Sequence, residues 1–206
     1  MKTTKILIAD DHAMMRAGLA SLLGSQKEFK LVGEACDGEE TVRKALELRP
    51  DVIIMDLLMP RLNGDEATQA ILKDHPEIKV IILTSAASAD GISRALNAGA
   101  TGALLKSDDF SSLAQAVRDV ADGKRVIAPD IERAIKYDPP VPKLTERQEE
   151  ILASIMRGLT NADISLALGI HEQSVKRHVG EICEKIGAAN RVEAAVIALR
   201  KHLLKL

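Results

Sequence analysis

The chain has 206 residues, of which 46% are hydrophobic and 28% charged, and a formal net charge of −2. That length suits one large domain or two small ones, and the apolar content supports a packed core and argues against a disordered chain. No run approaches the roughly 20 apolar residues of a membrane span, and no apolar leader opens the chain, so a cytoplasmic location is expected.

The two cysteines, Cys36 and Cys183, lie far apart without CxxC spacing, which argues against a disulfide scaffold or a zinc site. Charge is uneven. Residues 1–123 carry 14 basic and 19 acidic side chains, and residues 141–206 carry 10 and 8. An acidic front and a mildly basic back suggest two domains with different partners. Only Phe29, Phe110 and Tyr137 are aromatic, which weakens any model based on stacking single-stranded bases.

In chain order, short apolar runs occur at Lys5–Ala9, Leu31–Ala35, Asp51–Met55, Val80–Leu83 and Gly102–Leu105. Such runs, rich in Ile and Val, read as strands covered on both faces. Helical stripes separate them, among them Met15/Leu19/Leu22/Leu23 and Leu113/Val117/Val120. Alternation of this kind predicts an α/β fold, a doubly wound five-stranded parallel sheet over residues 1–123. Residues 124–142, ending in Asp138-Pro139-Pro140-Val141-Pro142, are expected to form a semi-rigid linker.

Residues 143–206 show only helical patterns and predict a small all-α domain. Thr145 and Gln148 suit a capping box. Stripes follow at Ile151/Ile155, Ile164/Leu168 and Val175/Val179/Ile182/Ile186, punctuated by Gly158 and Gly169. The third stripe leaves Gln173, Arg177, Gly180, Glu181 and Glu184 facing outward, Lys176 on the flank and His178 nearer the buried side. On the last helix, about Arg191 to Leu203, Val192, Val196, Leu199 and Leu203 are expected to pack inward. Ile197 and Leu204 would then lie outside, as candidates for a dimer interface.

The strand ends carry the chemistry. Asp10 and Asp11 follow the first strand and Asp56 the third; in this topology these are neighbours, so three carboxylates meet. Their repulsion calls for a hard divalent cation, most naturally Mg²⁺. Thr84 and Lys106 end the fourth and fifth strands and aim a hydroxyl and an ammonium group at the same pocket. The set fits phosphoryl transfer to a carboxylate.

Asp10-Asp11, Asp56-Leu-Leu-Met-Pro60 with Gly64, Thr84 and Lys106 resemble a two-component receiver domain over roughly residues 4–123. The resemblance implies that Asp56 is the phosphoacceptor and that Asp11, Asp56 and the Leu58 carbonyl bind Mg²⁺, with Asp10 acting nearby. It also implies a flavodoxin-like fold. Leu144-Thr-Glu-Arg-Gln-Glu-Glu-Ile-Leu152, Gly158-Leu-Thr-Asn-Ala-Asp-Ile164, Ser174-Val-Lys-Arg-His178, Lys185-Ile-Gly187 and Arg191 resemble the LuxR-type helix-turn-helix domain. Together they make the chain similar to NarL/FixJ-family response regulators. The expected function is a transcription regulator, not an enzyme, phosphorylated by a sensor histidine kinase or a small phosphodonor. It would bind double-stranded promoter DNA through Gln173, Ser174, Lys176 and Arg177, as a homodimer.

Several positions depart from the family pattern. Ala103 stands where receivers carry Tyr or Phe, and Ser107 where many carry Pro. In the tail, Ala162 replaces a usual Lys, Gln148 a Glu and His171 a Ser or Thr cap, and Gly180 stands where some relatives carry a basic residue. Ala103 motivates an alternative in which DNA binding is independent of phosphorylation. The sparse basic complement of the tail keeps open a protein-binding relay. Leu58, two residues after Asp56, replaces the second carboxylate an aspartyl-phosphate phosphatase would use.

Overall fold

All five apolar runs form strands: β1 (Thr4–Ala9), β2 (Phe29–Ala35), β3 (Val52–Asp56), β4 (Lys79–Thr84) and β5 (Gly102–Leu105). β1 and β3–β5 are buried almost throughout, as expected of strands covered on both faces, while β2 is half-buried along its middle. The computed structural model describes residues 3–85, 89–107, 110–137, 141–142, 144–201 and 203–204, and divides into two units, Met1–Pro139 and Pro140–Leu206.

In the first unit the strands are parallel and ordered β2-β1-β3-β4-β5-β6. The sixth strand, β6 (Val126–Ile127), and helix α6 (Pro129–Tyr137) correct the expected strand count. Both form within residues 124–142, where the sequence pattern predicts only linker. β6 pairs with the edge of β5, placing Val126 beside Gly102 and Ile127 beside Ala103. Covering an unpaired edge satisfies its backbone groups. Pro129 takes the first helical position of α6, where a missing N–H costs nothing. Ile131 of α6 is fully buried, and α6 packs on β5 and on α4 (Ala89–Asn97). Asp138, Pro139 and Pro140 lie outside the described residues.

Helices α1 (Ala13–Gly24), α2 (Gly38–Leu48), α3 (Gly64–Asp74) and α5 (Phe110–Ala121) complete the layers. The α1 stripe is as expected: Leu19 and Leu23 are buried, with Met15 and Leu22 packed on the same core.

The second unit holds α7 (Glu146–Met156), α8 (Asn161–Leu168), α9 (Glu172–Ile186) and α10 (Arg191–Arg200). Thr145 and Gln148 do form a capping box at the start of α7, and Thr160 and Asp163 form another at α8. His171, at the start of α9, makes no side-chain cap. Gly169 (φ 63°) ends α8 in the left-handed region and turns the chain into α9. Arg191 clamps the α7–α8 connection, donating to Asn161 Oδ1 at 3.0 Å and to the Leu159 carbonyl. Leu144, Ile151, Leu152, Ile155, Ile164, Val175, Ile182, Ile186, Ala194 and Ala198 make up a separate core.

Candidate functional site: an acidic pocket and an exposed helix

The carboxyl ends of β1, β3, β4 and β5 bring Asp10, Asp11, Asp56, Thr84 and Lys106 to one end of the sheet. Pairing of Ala9 with Met55 sets Asp10 beside Asp56. The Lys106 N–H donates to the Thr84 carbonyl at 2.8 Å, which fixes the lysine at the end of β4. Its ammonium nitrogen lies 2.6 Å from Asp56 Oδ2 and 2.7 Å from Asp10 Oδ2. Asp10, Asp56 and Thr84 are buried, whereas Asp11 is exposed.

The titration of these groups follows from that geometry. Burial is the largest influence on Asp56 and raises it; hydrogen bonding and charge from Lys106 oppose, and Asp10 pushes upward again. Burial alone would lower Lys106, but its hydrogen bonds to Asp10 and Asp56 outweigh this and hold it above its ordinary value. The lysine is therefore a fixed positive charge facing the carboxylates.

His12 joins the pocket, a residue to which the sequence pattern assigns no role although it directly follows Asp10-Asp11. Its Nδ1 lies 2.7 Å from Asp11 Oδ1 and 3.3 Å from Asp10 Oδ1, and its N–H donates to Asp10 Oδ1 at 2.8 Å. Asp10, Asp11, His12 and Asp56 each offer a ligand atom, all within 4.8 Å of one another. Three carboxylates form an oxygen-rich donor set that suits a hard divalent cation such as Mg²⁺.

The loop after β3 starts with Leu57 buried and Leu58 exposed, and the Leu58 N–H faces Asp56 Oδ1 at 3.4 Å. Gly64 closes it, donating from its N–H to the Leu57 carbonyl at 2.8 Å. A Cβ at position 64 would lie 2.2 Å from the Asp56 carbonyl oxygen, so only glycine lets α3 start this close to the pocket. Gly64→Ala is expected to cost about 2–3 kcal/mol through forced displacement of backbone, read as a lower urea midpoint with an unchanged slope.

Ala103 is fully buried on β5, flanked in register by Ile82 and Ile127, and its carbonyl accepts from the Ala128 N–H at 2.9 Å. Where receivers carry Tyr or Phe, this chain has a small side chain on a strand backed by β6.

In the second unit, α9 buries Val175, Ile182 and Ile186 and packs Val179 against the same core. Gln173, Lys176 and Arg177 are exposed and Ser174 is partly exposed. Glu181 tempers this basic surface: Arg177 lies 3.2 Å from its Oε1 and His178 Nδ1 3.1 Å from its Oε2. The His178 hydrogen bond chiefly holds Glu181 below the usual carboxylate range, with Arg177 adding to it. His178 is thus occupied within its own helix.

The last helix departs from its expected orientation. Ile197 and Leu204, expected outside as dimer candidates, pack against the core, as does Leu203. Val192, Val196 and Leu199, expected inside, are 70%, 58% and 52% exposed. The buried face of α10 is instead Ala194 and Ala198, whose small side chains let the helix approach α7 and α9, and Lys201 is buried just after its end.

A lysine bridging two buried aspartates at the carboxyl ends of a parallel sheet, on a chain whose other unit exposes a helix after a tight turn, defines a receiver joined to a helix-turn-helix output module. Residues 6–118 match the response regulator receiver domain, and residues 142–198 match bacterial regulatory proteins of the luxR family. The chain belongs to the two-component response regulators that carry a LuxR-type DNA-binding domain, and its function is that of a DNA-binding transcription regulator. It is 39% identical to the response regulator protein VraR of Staphylococcus aureus over 98% of this chain and all of the relative. Among solved structures it is similar to response regulator ChrA of a heme-sensing two-component system, at 33% identity and TM-score 0.57 over 99% of this chain and all of that one. It also shares the fold of RcsB in a complex with DNA, at 21% identity and TM-score 0.66 over 97% and 99%.

Proposed function

We propose that Asp56 accepts a phosphoryl group from a sensor histidine kinase or a small phosphodonor. The phosphorylated chain then binds paired half-sites on double-stranded promoter DNA as a homodimer, in the cytoplasm. The observation that carries this reading is the Lys106 ammonium group held between Asp10 and Asp56 at hydrogen-bond distance.

In the transfer step an Asp56 carboxylate oxygen attacks phosphorus. The bond from phosphorus to the donor nitrogen or oxygen breaks, and its electron pair stays on the leaving group. Lys106 turns from the Asp56 carboxylate to an incoming phosphoryl oxygen, and the Thr84 hydroxyl donates to another. A divalent cation held by Asp10, Asp11, Asp56 and the Leu58 carbonyl would neutralise charge gathering on those oxygens. The phosphoryl group carries about −1.5 to −2 charge in place of the single negative charge of the Asp56 carboxylate, beside Asp10 and Asp11.

On DNA, Gln173, Ser174, Lys176 and Arg177 supply donors from the N-terminal half of α9 to bases and phosphates. Arg177 must leave Glu181 to do so, which lowers the affinity of a single copy. Dimerisation through Val192, Val196 and Leu199 compensates by coupling two weak contacts.

The test is DNA binding across a salt titration, with and without beryllofluoride and Mg²⁺. Affinity is expected to fall linearly on logarithmic axes as salt rises. It is also expected to rise about tenfold with the phosphoryl mimic. Ala103 favours a second reading, in which dimerisation alone sets DNA binding; equal affinity with and without the mimic would establish it. Absence of any salt-dependent shift would leave a protein-binding relay.

A further inference from the structure

Asp37 lies outside the acidic pocket, at the carboxyl end of β2, and is 1% exposed. It caps α2, accepting from the Glu40 N–H at 2.8 Å. Its other carboxylate oxygen forms an ion pair with the guanidinium of Arg61, in the loop after β3, and lies 3.6 Å from Cys36 Sγ. Glu39 stands 3.9 Å from the same guanidinium.

Arg61 has φ 65°, a left-handed conformation that a non-glycine residue adopts at a cost. The Leu62 N–H donates across it to the Pro60 carbonyl at 2.7 Å, closing a three-residue turn of the strained kind. A strained turn persists only where its surroundings hold it. Here the holding groups are the buried Asp37 carboxylate and the start of α2, where a Cβ on Gly38 would lie 2.0 Å from the Leu62 carbonyl oxygen. The loop is tied at its ends by the Gly64–Leu57 bond and by the capping box between Asn63 and Glu66. The turn at Arg61 lies between those ties and directly follows Leu58 to Pro60.

We infer that Arg61 and Asp37 are positioning residues for the pocket: their ion pair holds the strained turn that aims the Leu58 carbonyl at the divalent cation. The inference rests on the reading of the pocket as a Mg²⁺ site. Neither residue touches the cation; both act through the loop.

The test is calorimetric titration of the full chain with Mg²⁺, using wild type, Arg61→Ala, Arg61→Lys, Asp37→Asn and the Arg61→Ala/Asp37→Asn double variant. Positioning predicts that both single substitutions weaken Mg²⁺ binding, by about tenfold, as outer-shell changes do. The double variant is no worse than either single one, and Arg61→Lys recovers part of the loss. Simple electrostatics predicts opposite signs: removing the arginine would strengthen cation binding, and removing the aspartate would weaken it. The amide introduced by Asp37→Asn still caps α2 and Arg61 is more than half exposed, so urea midpoints measured in parallel are expected to change little. Wild-type affinity in both single variants, or tighter binding by Arg61→Ala, overturns the inference. No Mg²⁺ binding by the wild type overturns the pocket reading itself, and the inference with it.

Discussion

Asp56→Asn is expected to accept no phosphoryl group. Incubated with acetyl phosphate and Mg²⁺, the wild type gains one phosphoryl mass by intact-protein mass spectrometry, and hydroxylamine removes it; the variant gains none. The reason is electronic. An amide of the same shape carries no negative charge and delocalises its nitrogen lone pair, so it offers no nucleophile. Folding is retained, because burial already penalises the charge on Asp56 and Lys106 keeps its partner Asp10 at 2.7 Å. The urea midpoint therefore does not fall. Loss of the acceptor also removes the roughly tenfold response of DNA affinity to beryllofluoride. Wild-type labelling in the variant would move the acceptor to Asp10 or Asp11.

Val196→Glu is expected to leave the chain folded and monomeric. Val192, Val196 and Leu199 recur at i, i+4 and i+7, a stripe that water covers unless another copy does. A carboxylate at its centre would be buried unpaired between two copies, facing its own image. Sedimentation with beryllofluoride present reads the loss of dimer. Affinity for paired half-sites falls on the order of a hundredfold, the size of effect that linking two contacts brings, while affinity for one half-site is unchanged. Ile197→Glu, one residue on, serves as the contrast. It strikes the core of the second unit and destabilises it by about 2 kcal/mol or more. Wild-type dimerisation by Val196→Glu would show that the stripe is not the contact.

The pocket was legible because parallel sheets place their functional groups at strand carboxyl ends, and Asp10, Asp56, Thr84 and Lys106 each stand directly at one. The capping box at Thr145 and the buried stripe of α9 were legible for a similar reason: spacing along one helix decides them. His12 directly follows Asp10-Asp11 in the sequence, but adjacency along the chain does not say which way a ring turns, and only the fold sets its Nδ1 against both carboxylates. The segment after residue 123 was misread for want of length. Two residues of β6 show no periodicity, and α6, which starts at Pro129, is only nine residues long.

Local periods and strand ends dictate the first five strands, the convergence of three carboxylates with a lysine, and the amphipathic course of α9. Tertiary structure alone decided where two local patterns competed. On α10 one stripe carries Val192, Val196 and Leu199 and the opposite face Ala194 and Ala198. Hydrophobicity favours burying the larger residues. Close packing against α7 and α9 favours the alanines, because small side chains let the helix backbones approach. In the same way β6 exists because β5 has an edge to cover, and the turn at Arg61 holds because Asp37, 24 positions earlier, is buried against it. Those outcomes depend on what lies across the fold, and no window of sequence contains it.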